Sequence, residues 1–139
     1  MSALGPDFRF TIYNSTGQTI AAGGIIVRYK GWKYANDASV TFEPSVSTPV
    51  NLSTVPASPS TLVNTTYMSS AAIDNSTTKL IGATIEFTVT APASSNGDVI
   101  LYIDRSLDDG ATFPDNGLGQ VVCVLNFTTS GTKRRIIHI

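Results

Sequence analysis

The strongest constraint on the fold is a strict alternation of apolar and polar residues between positions 81 and 90. Ile81, Ala83, Ile85, Phe87 and Val89 share one parity, and Gly, Thr and Glu residues occupy the other. Successive side chains of a β-strand point to opposite faces of the sheet. The pattern therefore predicts a strand with one buried face and one solvated face.

Strand-like runs of the same kind recur along the chain. They lie at 8–13, 25–29, 97–106, 121–127 and 134–139, with turn residues such as Asn, Asp and Gly between them. No window shows sustained apolar spacing of three and four residues, so we expect little or no helix. A chain of 139 residues suffices for one core. We predict an all-β fold in which residues 1–139 form a single antiparallel β-sandwich, immunoglobulin-like or jelly-roll-like.

The segment 45–66 departs from this pattern because Ser, Thr, Pro and Asn dominate it. Proline removes a ladder donor and fixes φ, so the segment is not a central strand. Two interpretations compete: a flexible linker or long loop, and an ordered extended arm that packs against a neighbouring subunit. Interspersed aliphatic residues favour the arm, since a solvent linker rarely carries so many. These candidate contact residues are Val50, Leu52, Val55, Leu62 and Val63.

Composition and charge exclude several classes of partner. Charged residues make up 14% of the chain and the formal net charge is −1, so no global field attracts nucleic acid. The basic run 133–135 is too short for such a patch and fits the polar start of a last strand, where charges discourage edge-to-edge pairing. No apolar run approaches the length of a membrane span, and the first residues lack the pattern of a secretory leader.

Cys123, in an apolar run, is expected to be a buried small hydrophobic residue.

The segment 106–113 resembles an Asp-box, a β-hairpin turn with the pattern Ser-x-Asp-x-Gly-x-Thr-aromatic. Asp108 can accept hydrogen bonds from its own turn, and Gly110 supplies a positive φ. Thr112 can bond across the loop, and Phe113 can pin the hairpin to the core. A propeller would repeat the motif in each blade, so a single copy predicts a structural turn and not glycosidase chemistry.

Residues with catalytic or metal-binding potential are sparse. The single histidine, His138, is penultimate, and a chain end is a poor place for a preorganised base. We therefore expect no enzyme, no catalytic residue and no cofactor. Asp104, Asp108, Asp109 and Asp115 could offer oxygen ligands to calcium, but their spacing does not match an EF-hand loop. Asx-turn capping is the favoured role, and no metal site is predicted.

Three aromatic residues, Tyr29, Trp32 and Tyr34, lie close together in the sequence. Such residues can stack on sugar rings, as in a carbohydrate-binding module, and they also occur in cores and subunit contacts. Trp32 and Tyr34 therefore join the candidate contact residues, with a host-surface glycan as an alternative ligand.

The stretch 97–117 resembles a pattern found in small structural proteins of tailed bacteriophages. A strand ending in Arg105-Ser106 leads into an Asp- and Gly-rich loop with the pair Phe113-Pro114, and a hydrophobic strand follows. The resemblance implies a virion component, made in the host cytoplasm, that assembles with major capsid or tail proteins and with copies of itself.

A capsid decoration protein of the head surface is the leading interpretation of this resemblance. A tail, collar or tail-tube component is the first alternative, and a carbohydrate-binding sandwich module is the second. The expected lack of a leader and the single cysteine fit assembly in a reducing cytoplasm.

Overall fold

The computed structural model describes residues 4–34, 40–42, 52–53, 61–106, 108 and 112–139. In these ranges the chain is all-β, and two antiparallel sheets pack together as a sandwich, which confirms the predicted fold class.

The described residues form ten strands, numbered here in chain order. They are β1 (Asp7–Asn14), β2 (Ile25–Tyr34), β3 (Val40–Phe42), β4 (Leu52–Ser53), β5 (Thr66–Ser70), β6 (Ile73–Asp74), β7 (Gly82–Ala91), β8 (Gly97–Arg105), β9 (Gln120–Phe127) and β10 (Gly131–His138). A six-stranded sheet has the order β4-β5-β1-β8-β9, and β6 also pairs with β1. A four-stranded sheet has the order β10-β7-β2-β3.

The core lies between the two sheets and follows the predicted alternation. On β7, Ile85 and Phe87 are fully buried, whereas Thr88 on the opposite parity is only half-buried. From the other sheet, β1 contributes the buried rings of Phe8 and Phe10. Tyr29 of β2 packs against both rings, with centroid distances of 5.9 Å. Tyr29 is therefore a core contact and does not belong to a surface aromatic group with Trp32 and Tyr34.

The strands β9 and β10 each form an edge of their sheet. Lys133 of β10 pairs with the buried Val89, so it lies at a position of β10 that points toward the other sheet. Its ammonium lies 5.4 Å from the centre of the Phe127 ring. An inward-pointing charge on an edge strand opposes the addition of a further strand. Cys123 was expected to be a buried small hydrophobic residue. It packs against the core but is only half-buried, because β9 is an edge strand. That partial burial raises the pKa of the Cys123 thiol, and the nearby charge of Arg135 opposes the rise.

The described parts of the segment 45–66 pair with the protein's own backbone. Leu62 is fully buried, and its backbone exchanges hydrogen bonds with Ile20 at 2.9 and 3.0 Å. The expectation that Leu62 contacts a neighbouring subunit is therefore wrong, because its side chain fills the core of its own chain. Leu52 pairs with Ser70 of β5 through the backbone. Val50 and Val55 lie outside the described residues, so the extended arm stays a prediction there.

Candidate assembly surface

An apolar row crosses four strands on the outer face of the six-stranded sheet. The register places Tyr67 beside Tyr13, Tyr13 beside Ile100, and Ile100 beside Val124. Val121 lies in the next row, where it pairs with β8. We call these five residues the apolar face.

The two valines of the apolar face are conspicuously exposed. Val121 is 52% exposed and Val124 is 48% exposed, while the other three members are half-buried. The rings of Tyr13 and Tyr67 lie 4.5 Å apart at an angle of 32°. On β7 the outward positions carry Thr and Glu, as a solvated face should. The apolar face differs in this respect from the outward face of β7, and it is therefore the candidate contact surface among the described residues.

A β-bulge brings the two valines onto one face. The register between β8 and β9 shifts at Leu101 and Tyr102, which pair with Cys123 and Val121. The residue between these partners, Val122, is the extra residue of the bulge. Strict alternation would have turned Val121 inward together with Cys123, but one extra residue reverses the parity. The bulge therefore determines the composition of the apolar face.

The loop between β8 and β9 covers the end of this outer face that lies next to Arg9. The guanidinium of Arg9 lies 4.7 Å from the centre of the Phe113 ring and donates a 3.3 Å hydrogen bond to the carbonyl of Pro114. Its Nε also donates to the buried carboxylate of Asp104 at 2.9 Å. Phe113 was expected to pin the hairpin to the core. It is instead half-buried, and the contact that holds it is the Arg9 guanidinium on the outer face.

Hydrogen bonds within the loop hold the Asp108 carboxylate. It accepts bonds from the Ser106 hydroxyl at 2.8 Å, the Thr112 amide at 2.7 Å and the Thr112 hydroxyl at 2.6 Å. These donors, first of all the Thr112 hydroxyl, lower the pKa of Asp108 below its ordinary value. Gly110 lies outside the described residues.

Acidification is expected to release this loop. Because the Asp108 pKa in the folded protein lies below its ordinary value of 3.8, the stabilisation is complete above that pH and is lost as pH falls through the folded value. The Thr112 amide resonance should report a transition with its midpoint below 3.8. In Asp108→Asn the transition should disappear. A midpoint at or above the ordinary value would show that the hydrogen bonds do not form in solution.

The two aromatic residues singled out by sequence lie on the other sheet. Trp32 is half-buried over Gly82 on the outer face of the four-stranded sheet, and its Nε1 donates to the carbonyl of Ile139 at 3.3 Å. Tyr34 is 57% exposed, and its ring stands at 83° to that of Trp32, with 5.9 Å between centroids. Perpendicular rings do not form the flat platform on which a sugar stacks, so this geometry gives the glycan hypothesis little support.

Sequence reasoning missed the tyrosines of the apolar face because they are far apart in the chain. The sequence offered one indication of this face. Tyr13 lies on the opposite parity of β1 from the buried Phe8 and Phe10, so it points outward. Of the predicted contact residues, Val63 is 51% exposed, and its role as a contact stays a prediction.

Two further features are absent from the part of the chain that the structure describes. There, no three His, Cys, Asp or Glu side chains are grouped so that they could hold a metal ion. In the same ranges no helix has the length and apolar character to cross a membrane. Comparison with protein-family models, curated proteins and solved structures gives no match.

Proposed function

We propose that the protein is a structural component of a tailed-phage virion, with capsid decoration as the leading form of that role. The observation that carries the proposal is the apolar face, where Val121 and Val124 are about half exposed on an ordered sheet. Exposed apolar patches with polar surroundings mark contact surfaces. Tyrosine is also enriched in such interfaces.

Side-chain contacts link neighbouring strands of the sheet that carries the apolar face, which suits a docking surface. Asp104 is fully buried and accepts hydrogen bonds from Arg9 at 2.9 Å and from Thr11 at 2.7 Å. These contacts tie β1 to β8 directly under the loop. A surface that is already ordered loses little conformational entropy when a partner binds. Burial of its apolar area then contributes about 25 cal/mol per Å².

The resemblance to phage structural proteins falls on the same part of the molecule. The stretch 97–117 includes β8, which supplies Ile100 to the apolar face, and most of the loop beside it. The same geometry would serve a tail, collar or tail-tube component, and labelling of intact particles distinguishes these locations.

Gold-labelled antibodies against the recombinant protein, applied to purified tailed particles, test this proposal. We expect label on the head surface, with mass spectrometry showing many copies per particle. Label on the tail would favour the alternative. Intact particles without label and without the protein's peptides would overturn the proposal.

Val124→Asp tests whether incorporation into the particle needs the apolar face, whether that face contacts another virion protein or a neighbouring copy. A carboxylate buried in an apolar interface lacks a partner, so incorporation should fall by roughly tenfold or more. The matched control is Thr77→Asp, which adds the same charge at an exposed turn position outside the strands. Both variants should melt at the wild-type temperature. Equal incorporation of the two variants would show that the particle contact lies elsewhere.

A further inference from the structure

Among the described residues, the outer face of the four-stranded sheet carries more positive than negative charge. Arg28 and Lys30 point outward from β2, where they pair with Glu86 and Thr84 of β7. Glu86 is already engaged, because Arg134 of β10 forms an ion pair with it at 2.9 Å. Within the described ranges Arg28 and Lys30 form no ion pair, and the Nε of Arg28 is buried without a hydrogen-bond partner. We call Arg28, Lys30 and Arg134 the cationic face.

Carboxylates lie along the borders of the apolar face. Two cations lie there as well: the Lys133 ammonium, which donates a hydrogen bond to the Asn126 carbonyl at the β9 edge, and the Arg9 guanidinium, which is paired with Asp104. Asp98 lies on the same outward parity, one row from Ile100, and its carboxylate accepts a 2.8 Å hydrogen bond from the neutral Asn126 amide. Asp108 in the adjoining loop accepts hydrogen bonds from neutral donors, and Asp115 of that loop is exposed. Within the described ranges none of these three carboxylates forms an ion pair. Although the formal net charge of the chain is only −1, its two outer faces carry opposite charge.

We propose that the protein assembles head to tail, so that the apolar face of one copy docks onto the cationic face of the next copy. This inference rests on the proposed structural role and specifies its self-contact. The acidic border then meets Arg28 and Lys30 of the neighbouring copy. The cationic face also offers apolar area, because Ile136 lies in the same row as Arg28 and is 55% exposed.

Charge decides between this arrangement and a symmetric pair. If two apolar faces met each other, the carboxylates of both borders would approach and repel. If an apolar face meets a cationic face, each border finds opposite charge, which fixes orientation and speeds association. Such a heterologous contact repeats from copy to copy and closes into a ring or extends as a filament. Exposed charges are screened by salt, so the assembly should weaken as ionic strength rises.

Sedimentation velocity on the full chain tests the proposal. Wild type should form species larger than a dimer at about 0.01 M salt and should dissociate toward about 1 M. Val124→Asp blocks the apolar face, and Arg28→Glu/Lys30→Glu reverses the cationic face. Each variant alone should remain monomeric. An equimolar mixture of the two variants should form a heterodimer and no larger species. The intact cationic face of Val124→Asp binds the intact apolar face of the charge-reversed variant, and the two altered faces cannot bind a further copy.

Controls separate surface effects from folding. Thr77→Asp should assemble like wild type, and Lys30→Glu alone should weaken association by roughly tenfold without the risk of altering the partly buried Arg28. A mixture that stays monomeric, or normal assembly of the charge-reversed variant, would overturn head-to-tail docking. Binding of a DNA duplex that competes with assembly and needs Arg28 and Lys30 would also overturn it, in favour of a nucleic-acid surface. Immunogold labelling of virions is independent of these outcomes, so either proposal can fail alone.

Discussion

Phe87→Ala is expected to lower the free energy of unfolding by about 3–5 kcal/mol, because the side chain is fully buried and its removal leaves a cavity. Phe87 lies in the middle of β7, which pairs with β2 on one side and β10 on the other. Neighbouring strands therefore restrict the collapse of that cavity. Denaturant unfolding monitored by circular dichroism measures the change.

The matched control for this prediction is Thr88→Ala, one residue along the same strand. Thr88 points outward and is half-buried, so its truncation should cost less than about 1 kcal/mol. Both measurements belong at high salt, where the proposed assembly dissociates and the outer face is open to solvent. Equal costs in the monomer would contradict the assignment of one buried and one solvated face to β7.

Arg9→Met is expected to lower the free energy of unfolding by about 3 kcal/mol, because it leaves the Asp104 carboxylate buried without its counter-charge. Thr11 would remain as its one hydrogen-bond donor in the described residues, since Oδ1 of Asp104 already lacks a partner there. The Arg9 side chain is 22% exposed, which places the expected cost at the low end for a buried pair. Phe113 also loses the guanidinium that covers its ring.

A double-mutant cycle with Asp104→Asn isolates the charge effect. The amide keeps the shape of the carboxylate but carries no charge, so Arg9→Met should cost far less in that background. The same cost in both backgrounds would show that Arg9 contributes through packing on Phe113 and not through the ion pair.

The sequence determined the fold class because alternation is a local property of the chain. The pattern on β7 identified the buried set correctly, and the absence of helical spacing predicted an all-β protein. The contacts of Asp108 were also open to sequence reasoning, since its donors Ser106 and Thr112 lie within four residues. Local chemistry of this kind needs no knowledge of which strands become neighbours.

Predictions from local composition failed where the pairing or edge position of a residue, and not its sequence neighbours, decided its burial. Leu62 lies in a Pro- and Ser-rich segment, yet it fills the core because its backbone pairs with Ile20. Cys123 lies among aliphatic residues, yet it is half-buried because β9 is an edge strand. Neither the pairing partner nor the edge position can be read from a residue's immediate neighbours.

Only the tertiary structure decided the surfaces on which the functional proposals rest. Tyr13, Tyr67, Ile100 and Val124 form one row only because of the register of four strands, and a single bulged residue sets the parity of Val121. The segregation of charge likewise depends on which strands share a sheet. Alternation specifies that a strand has two faces, whereas long-range pairing, register and the bulge specify what each face meets.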